Sequence, residues 1–276
     1  MIIIKNAGDN KMLYKLFSHE TEWSIFQNII ATEELIYTKS KSEKILFHQL
    51  RQERWIDNTD SRPDFVSEKF MIELFEVDDI VTSKKGSNNP QRKADARALR
   101  TVEEFMKKFP DGTFSENVKV IAHGDTRYNP LTDSFTPDDS FGHHNYKAYL
   151  NNFKRITQKH LDSVSAYRTN FPDKKLGFMI LDDSTYYVLN NQLQKPVTGK
   201  QILYNLPFFD KNFMKLFIKS DVDFIVWAFD NKYIYTNQSK HGQGLFAPQL
   251  AIIEKENFYT KKSKYFQVDE MVSLEE

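Results

Sequence analysis

The chain contains no cysteine. Disulfide scaffolds, zinc ribbons and thiol nucleophiles are thereby excluded, and a reducing compartment suits it. Neither charge is in surplus, because Lys and Arg together number 38 and Asp and Glu together number 38. A neutral total exerts no global pull on a polyanion, although a local basic patch is enough to hold phosphates. Long apolar runs are missing too: no window approaches the roughly 18 residues of a membrane-spanning helix. The opening Met1-Ile2-Ile3-Ile4-Lys5 is too short an apolar run for a signal peptide. The expected location is cytoplasmic, with no membrane partner. Glycine-rich phosphate loops of the Walker or dinucleotide-binding type are absent, as is a Gly-x-Ser-x-Gly elbow.

Against these absences stand 276 residues, 40% of them hydrophobic and 14% aromatic, enough to bury a large core. The 28% charged fraction argues against wholesale disorder. No composition shift marks a boundary, so a single domain over 1–276 is expected. Short apolar clusters at Met12 to Phe17 and Trp23 to Ile30 come first. Ser42 reads as an N-cap for a helix over Glu43 to Arg54, with Leu46, Phe47 and Leu50 at helical spacing. Residues 63–67 and 70–77 read as strands joined by Glu68-Lys69. A loop over Lys84 to Pro90 leads into a basic helix over Gln91 to Lys108, then a strand over Val118 to Ala122 and a polar loop over 126–142.

A long helix is expected over His144 to Arg168, from the period of Tyr149, Leu150, Phe153, Ile156, Leu161, Val164 and Tyr167. Lys175 to Leu181 reads as a strand, with Tyr186 to Leu189 returning beside it as a hairpin. Asp223 to Phe229 is an apolar strand, followed by Lys232 to Thr236 across Asp230-Asn231. From Gly242 onward the pattern suggests surface strands and a polar tail. The element order is that of an α/β protein.

Chemistry enters where acidic residues occupy strand positions that favour apolar ones. Met71, Glu73, Phe75 and Val77 share one face of the 70–77 strand, which makes Glu73 a carboxylate in an apolar row. Buried without a partner it would be costly, so it needs a cation, a hydrogen-bond donor or water. Asp64 lies in the neighbouring strand, directly after Pro63. Glu43 stands three, four and seven residues from Leu46, Phe47 and Leu50, and so shares their inward face. Asp64, Glu73 and Glu43 together would make an all-oxygen set suited to Mg²⁺ or Mn²⁺ rather than zinc. The plainer readings are an ordinary strand entry at Pro63-Asp64, a salt bridge from Glu73 to an arginine, and a helix-dipole role for Glu43.

Pro63-Asp64 followed by Glu73, after a helix carboxylate at Glu43, resembles the PD-(D/E)XK nuclease superfamily over roughly residues 40–182. The resemblance implies a restriction-endonuclease-like core, a mixed central sheet flanked by helices. To it this chain would add a helical insertion at roughly 84–110 and a β-rich C-terminal extension. It further implies a nuclease that cleaves DNA phosphodiesters with Mg²⁺ or Mn²⁺, with Asp64, Glu73 and a lysine as catalytic groups, and it leaves a homodimer open. The family places its lysine two residues after the glutamate, where this chain has Phe75. Some branches carry the lysine on the following helix, which points to Lys159, then Lys154. Ser163-Val164-Ser165-Ala166-Tyr167 is similar to the Gln-x-x-x-Tyr motif of one branch, with serine for glutamine. The alternative implied by the missing lysine is a catalytically degenerate module that binds nucleic acid or protein.

Lys93, Arg97 and Arg100 share one face of the basic helix and are the candidate contacts to a DNA backbone, balanced against Asp95, Glu103 and Glu104. His123 with Asp125, and the pair His143-His144, fit no metal-ligand spacing and read better as capping or surface groups. A hydrolase built on His123 and Asp125 is a third reading.

Overall fold

In this computed structural model the described residues are 2–7, 10–14, 21–33, 35–79, 108, 119–122, 126–129, 134–137, 146–192, 203–230, 233–234, 245–246 and 248–273. They form, in chain order, β1 Ile2–Ala7, β2 Asn10–Tyr14, α1 Glu22–Ala31, β3 Ile36–Thr38, α2 Lys41–Gln52, β4 Ile56–Asp57, β5 Phe65–Val66 and β6 Phe70–Val77. Next come β7 Lys119–Ala122, β8 Thr126–Asn129, β9 Ser134–Pro137, α3 Tyr146–Leu161, α4 Val164–Asn170, β10 Lys175–Asp182, β11 Tyr187–Leu189 and α5 Lys211–Met214. The last are β12 Phe224–Phe229, β13 Tyr233–Ile234, β14 Leu245–Phe246, β15 Leu250–Glu254 and β16 Met271–Ser273.

The contacts divide the chain into two compact units, one of Met1–Ser18 with Ile80–His144 and one of His19–Asp79 with Asn145–Glu276. In the first, β1 pairs antiparallel with both β2 and β7, and β8 forms a hairpin with β9 where a polar loop was expected. The proposed helical insertion at 84–110, Lys108 apart, lies outside the described residues. Lys93, Arg97, Arg100, His123, Asp125, His143 and His144 lie outside them too.

The second unit is a mixed α/β structure whose central sheet runs β3-β15-β12-β10-β6-β5-β4. β4, β5 and β6 form an antiparallel meander; β10 is parallel to both β6 and β12. The crossover from β6 to β10 carries α3 and α4. Its register aligns Glu73, Phe178 and Ile225 in one row, so the face bearing Met71, Glu73, Phe75 and Val77 continues through Phe178, Ile180, Asp182 and Trp227. The packing of α3 supplies Tyr149 and Phe153 to this face, with Phe153 stacked 5.2 Å from Trp227. On the opposite face Phe65 aligns with Ile72 and stacks on Phe26 of α1 at 4.2 Å, while α2 lies against β15. Gly177 of β10 lets β12 come close: a Cβ there would stand 2.2 Å from the Phe224 ring. Among the described residues no helix is long and apolar enough to cross a membrane.

Four expectations need correction. The long helix breaks at Asp162-Ser163, giving α3 and α4. The 187–189 strand pairs with β16 rather than with β10. Leu250–Glu254 is no surface strand; it is buried between β12 and β3, so the C-terminal β-rich region contributes two strands to the central sheet. The cap of α2 is Ser40, not Ser42: its side chain accepts from Glu43 N while Glu43 reaches back to Ser40 N, a reciprocal capping box.

Candidate functional site

Asp64 and Glu73 come together, as their spacing suggested. The pairs Phe65↔Ile72 and Val66↔Met71 place Asp64 opposite Glu73, one position beyond the ladder. β5 starts at Phe65, so the Leu74 N–H finds its acceptor in the Asp64 side chain, with Oδ2 at 2.7 Å. The segment leading in is held from two sides. Asn58 donates to Pro63 O at 2.8 Å and accepts nothing from it in return; its own N–H reaches Asp64 O at 2.7 Å. From the end of α4, Asn170 donates to Arg62 O at 3.4 Å. The Arg62-Pro63 bond is cis.

Glu73 is 1% exposed. Its Oε1 lies 2.8 Å from His160 Nδ1, and the imidazole is stacked on Phe75 at 4.5 Å and 11°. Phe75 thus backs the ring that holds Glu73. The second carboxylate oxygen, Oε2, is buried with no hydrogen-bond partner, as are Tyr167 Oη and, one helical turn before His160, Thr157 Oγ1. Tyr167 lies beside Glu73: burial first, then the carboxylate's charge and the closeness of the two side chains, push the phenol up. A buried oxygen left unpaired is the exception in folded proteins and calls for a reason.

Electrostatics tie the group together. Burial first, and the Glu73 charge second, push the Asp64 carboxyl up to about 7, against the Leu74 N–H, which favours the charged form. Glu22, in the first turn of α1, adds to this push and Arg62 opposes it. Arg62 is in turn held charged chiefly by Glu73, then by Tyr167 and Asp64. The cluster is therefore Asp64, Glu73, His160, Tyr167 and Arg62, with Glu22 at its edge.

Glu43 does not join it. Its Oε2 accepts from the Lys39 and Ser40 N–H groups, and its Oε1 from Glu254 N at 3.2 Å and Asn257 Nδ2 at 2.9 Å. Glu254 belongs to β15, three strand spacings from β6, or roughly 14 Å. The inward orientation read from helical spacing is correct, but what it reaches is the end of β15. Lys159 is exposed in the last turn of α3, one position off the buried stripe of Phe153, Thr157 and His160. Lys154 faces Lys215 and Asp210 instead.

Sequence reasoning missed His160, Glu22 and Arg62. His160 was legible, because it lies seven residues after Phe153 on the stripe that Lys159 misses. Glu22 carries no local signal, since its nearness to Asp64 depends on how α1 is placed, whereas Arg62 stands two residues before Asp64 and was within reach of the sequence. Among the described residues no group of three or more His, Asp or Glu side chains is placed to hold a metal ion. No family model matches the chain, and no curated protein and no solved structure matches it.

Proposed function

We propose that the chain is a divergent restriction-endonuclease-like nuclease, cleaving DNA phosphodiesters with Mg²⁺ or Mn²⁺ at Asp64 and Glu73. The observation that carries this reading is the unpartnered Glu73 Oε2, buried opposite an Asp64 carboxyl that its charge helps push up to about 7. Two buried or half-buried carboxylates that repel each other are stabilised by a hard dication. Two carboxylates suffice for Mg²⁺, which commonly keeps several waters and takes its remaining ligands from substrate phosphate. The element order supports the reading as well: a helix, an antiparallel meander carrying both carboxylates, a crossover helix and a strand parallel to the last of the meander.

Asp64 and Glu73 would hold the ion, which when bound supplies a polarised phosphodiester and an acidified water. The chain's own residues fix those two ligands. Leu74 N–H orients Asp64 Oδ2, and His160, braced by Phe75, holds Glu73 Oε1. The test is cleavage of plasmid DNA in Mg²⁺ or Mn²⁺ by the wild-type chain and by Asp64→Ala. Cleavage by the wild type alone is expected, and equal cleavage by both sinks the assignment.

One observation favours the degenerate-module reading instead. The lysine slot is apolar and Glu73 Oε1 is committed to His160, so the pair could serve only to bind. That reading predicts no thermal shift with divalent cations, whereas an ion binding the folded state at a hundred times its Kd adds about 2.7 kcal/mol.

A further inference from the structure

The cluster has two carboxylates and, in the place where the resemblance puts a lysine, a phenylalanine. A phosphodiester approaching it still needs a positive group, and neither lysine considered from the sequence supplies one: Lys159 is exposed off the buried stripe of α3, and Lys154 turns to Asp210 and Lys215. Arg62 is differently placed. It stands two residues before Asp64 in the segment that Asn58 and Asn170 hold at its backbone, so the same constraints position both residues. Its side chain is exposed, unlike those of Glu73, His160 and Tyr167. It lies within the field of Glu73, Tyr167 and Asp64, yet it forms no ion pair with either carboxylate. An arginine serving only to neutralise the pair would close onto it; this one pairs with neither carboxylate and reaches toward the Tyr167 hydroxyl, which leaves guanidinium donors for a further acceptor.

We propose that Arg62 is the phosphate-binding residue of this site, gripping the DNA phosphodiester beside the Asp64–Glu73 pair in place of the absent lysine. A planar guanidinium offers two parallel N–H donors to phosphate oxygens, a match that a point-charge ammonium makes less well. Neutralising the carboxylates with a dication would also release Arg62 from the pull of Glu73 and leave it to the substrate. The assignment rests on the nuclease reading above, and the experiment separates the two.

Full-length wild type, Arg62→Gln, Arg62→Lys and Asp64→Asn are compared in three measurements: Mn²⁺ binding by calorimetry, binding of a fluorescent DNA duplex in Ca²⁺ across a salt series, and cleavage in Mn²⁺. Arg62→Gln is expected to keep Mn²⁺ affinity within about threefold and to lose cleavage by roughly 10- to 100-fold. Its duplex binding should show a salt slope shallower by about one. Arg62→Lys should recover part of the loss, and Asp64→Asn should lose Mn²⁺ binding. Wild-type cleavage by Arg62→Gln overturns the role of Arg62 and leaves the nuclease reading standing. Loss of Mn²⁺ binding in both Arg62 variants makes the residue a structural one and overturns the proposal. A wild type that binds no Mn²⁺ and cleaves nothing overturns the nuclease reading and this proposal with it.

Discussion

Glu43 and Glu73 are both glutamates on inward faces of the same unit, 0% and 1% exposed. They differ in how their oxygens are satisfied. Glu43 receives four N–H donors, two on each oxygen, from two backbone groups at its own helix start and from Glu254 and Asn257 more than two hundred residues later. Glu73 receives one ring nitrogen on Oε1 and nothing on Oε2. Burial of a carboxylate therefore does not separate a fully satisfied latch from an under-satisfied group; counting donors does. Asp182 falls with Glu43, since Ser184, Trp227 and Tyr149 all donate to it.

The contrast is sharpest in what removing each side chain does. Glu43→Ala orphans four donors, and a loss of roughly 3–5 kcal/mol is expected, read as a lower urea midpoint at unchanged slope. His160→Ala takes away the ring nitrogen on Glu73 Oε1 and the stack on Phe75, for roughly 2–3 kcal/mol by the same measurement. Glu73→Gln keeps an acceptor for His160 and removes the charge facing Asp64, so its stability should stay within about 1 kcal/mol of wild type. Should Glu73→Gln prove as damaging as Glu43→Ala, the distinction between the two glutamates collapses.

The smallest effect has the opposite sign. A carboxyl at about 7 when folded binds its proton more tightly than in the unfolded chain, whose value is 3.8. The stability it confers is complete below pH ~4 and is lost as the pH rises toward 7. Asp64→Asn, which can still accept from Leu74 N–H, should then be the more stable protein at pH 8 in EDTA. With partial exposure discounted, the gain is about 1 kcal/mol, or roughly 2–4 °C in Tm, fading at pH 4. A Tm difference that does not change between pH 4 and pH 8 would remove the repulsion between Asp64 and Glu73 from the account.

What could be read without coordinates was mostly local. Alternation placed Glu73 and Phe75 on one face, and spacing turned Glu43 inward, because both follow from backbone periods. The pairing partners could not be read. Leu250 to Ile253 is a short apolar run that periodicity alone cannot assign to a sheet edge or a sheet centre, and its partners Ile36 and Ile225 are far away in sequence. The break at Asp162-Ser163 falls within an unbroken apolar stripe, which hides it. The site was half legible for the same reason: Asp64 and Glu73 are joined by a hairpin and Arg62 lies beside Asp64, whereas His160, Tyr167 and Glu22 converge only through tertiary placement.

The pairing of β3 with β15 has a consequence for synthesis. Ile36 waits for Leu250, and two of the four donors to Glu43 wait for residues 254 and 257. At about 5–20 residues per second the ribosome delivers that partner roughly 10 to 40 s later. During that interval β3 has no mate, and the nascent segment depends on chaperones or on its own collapse to stay soluble.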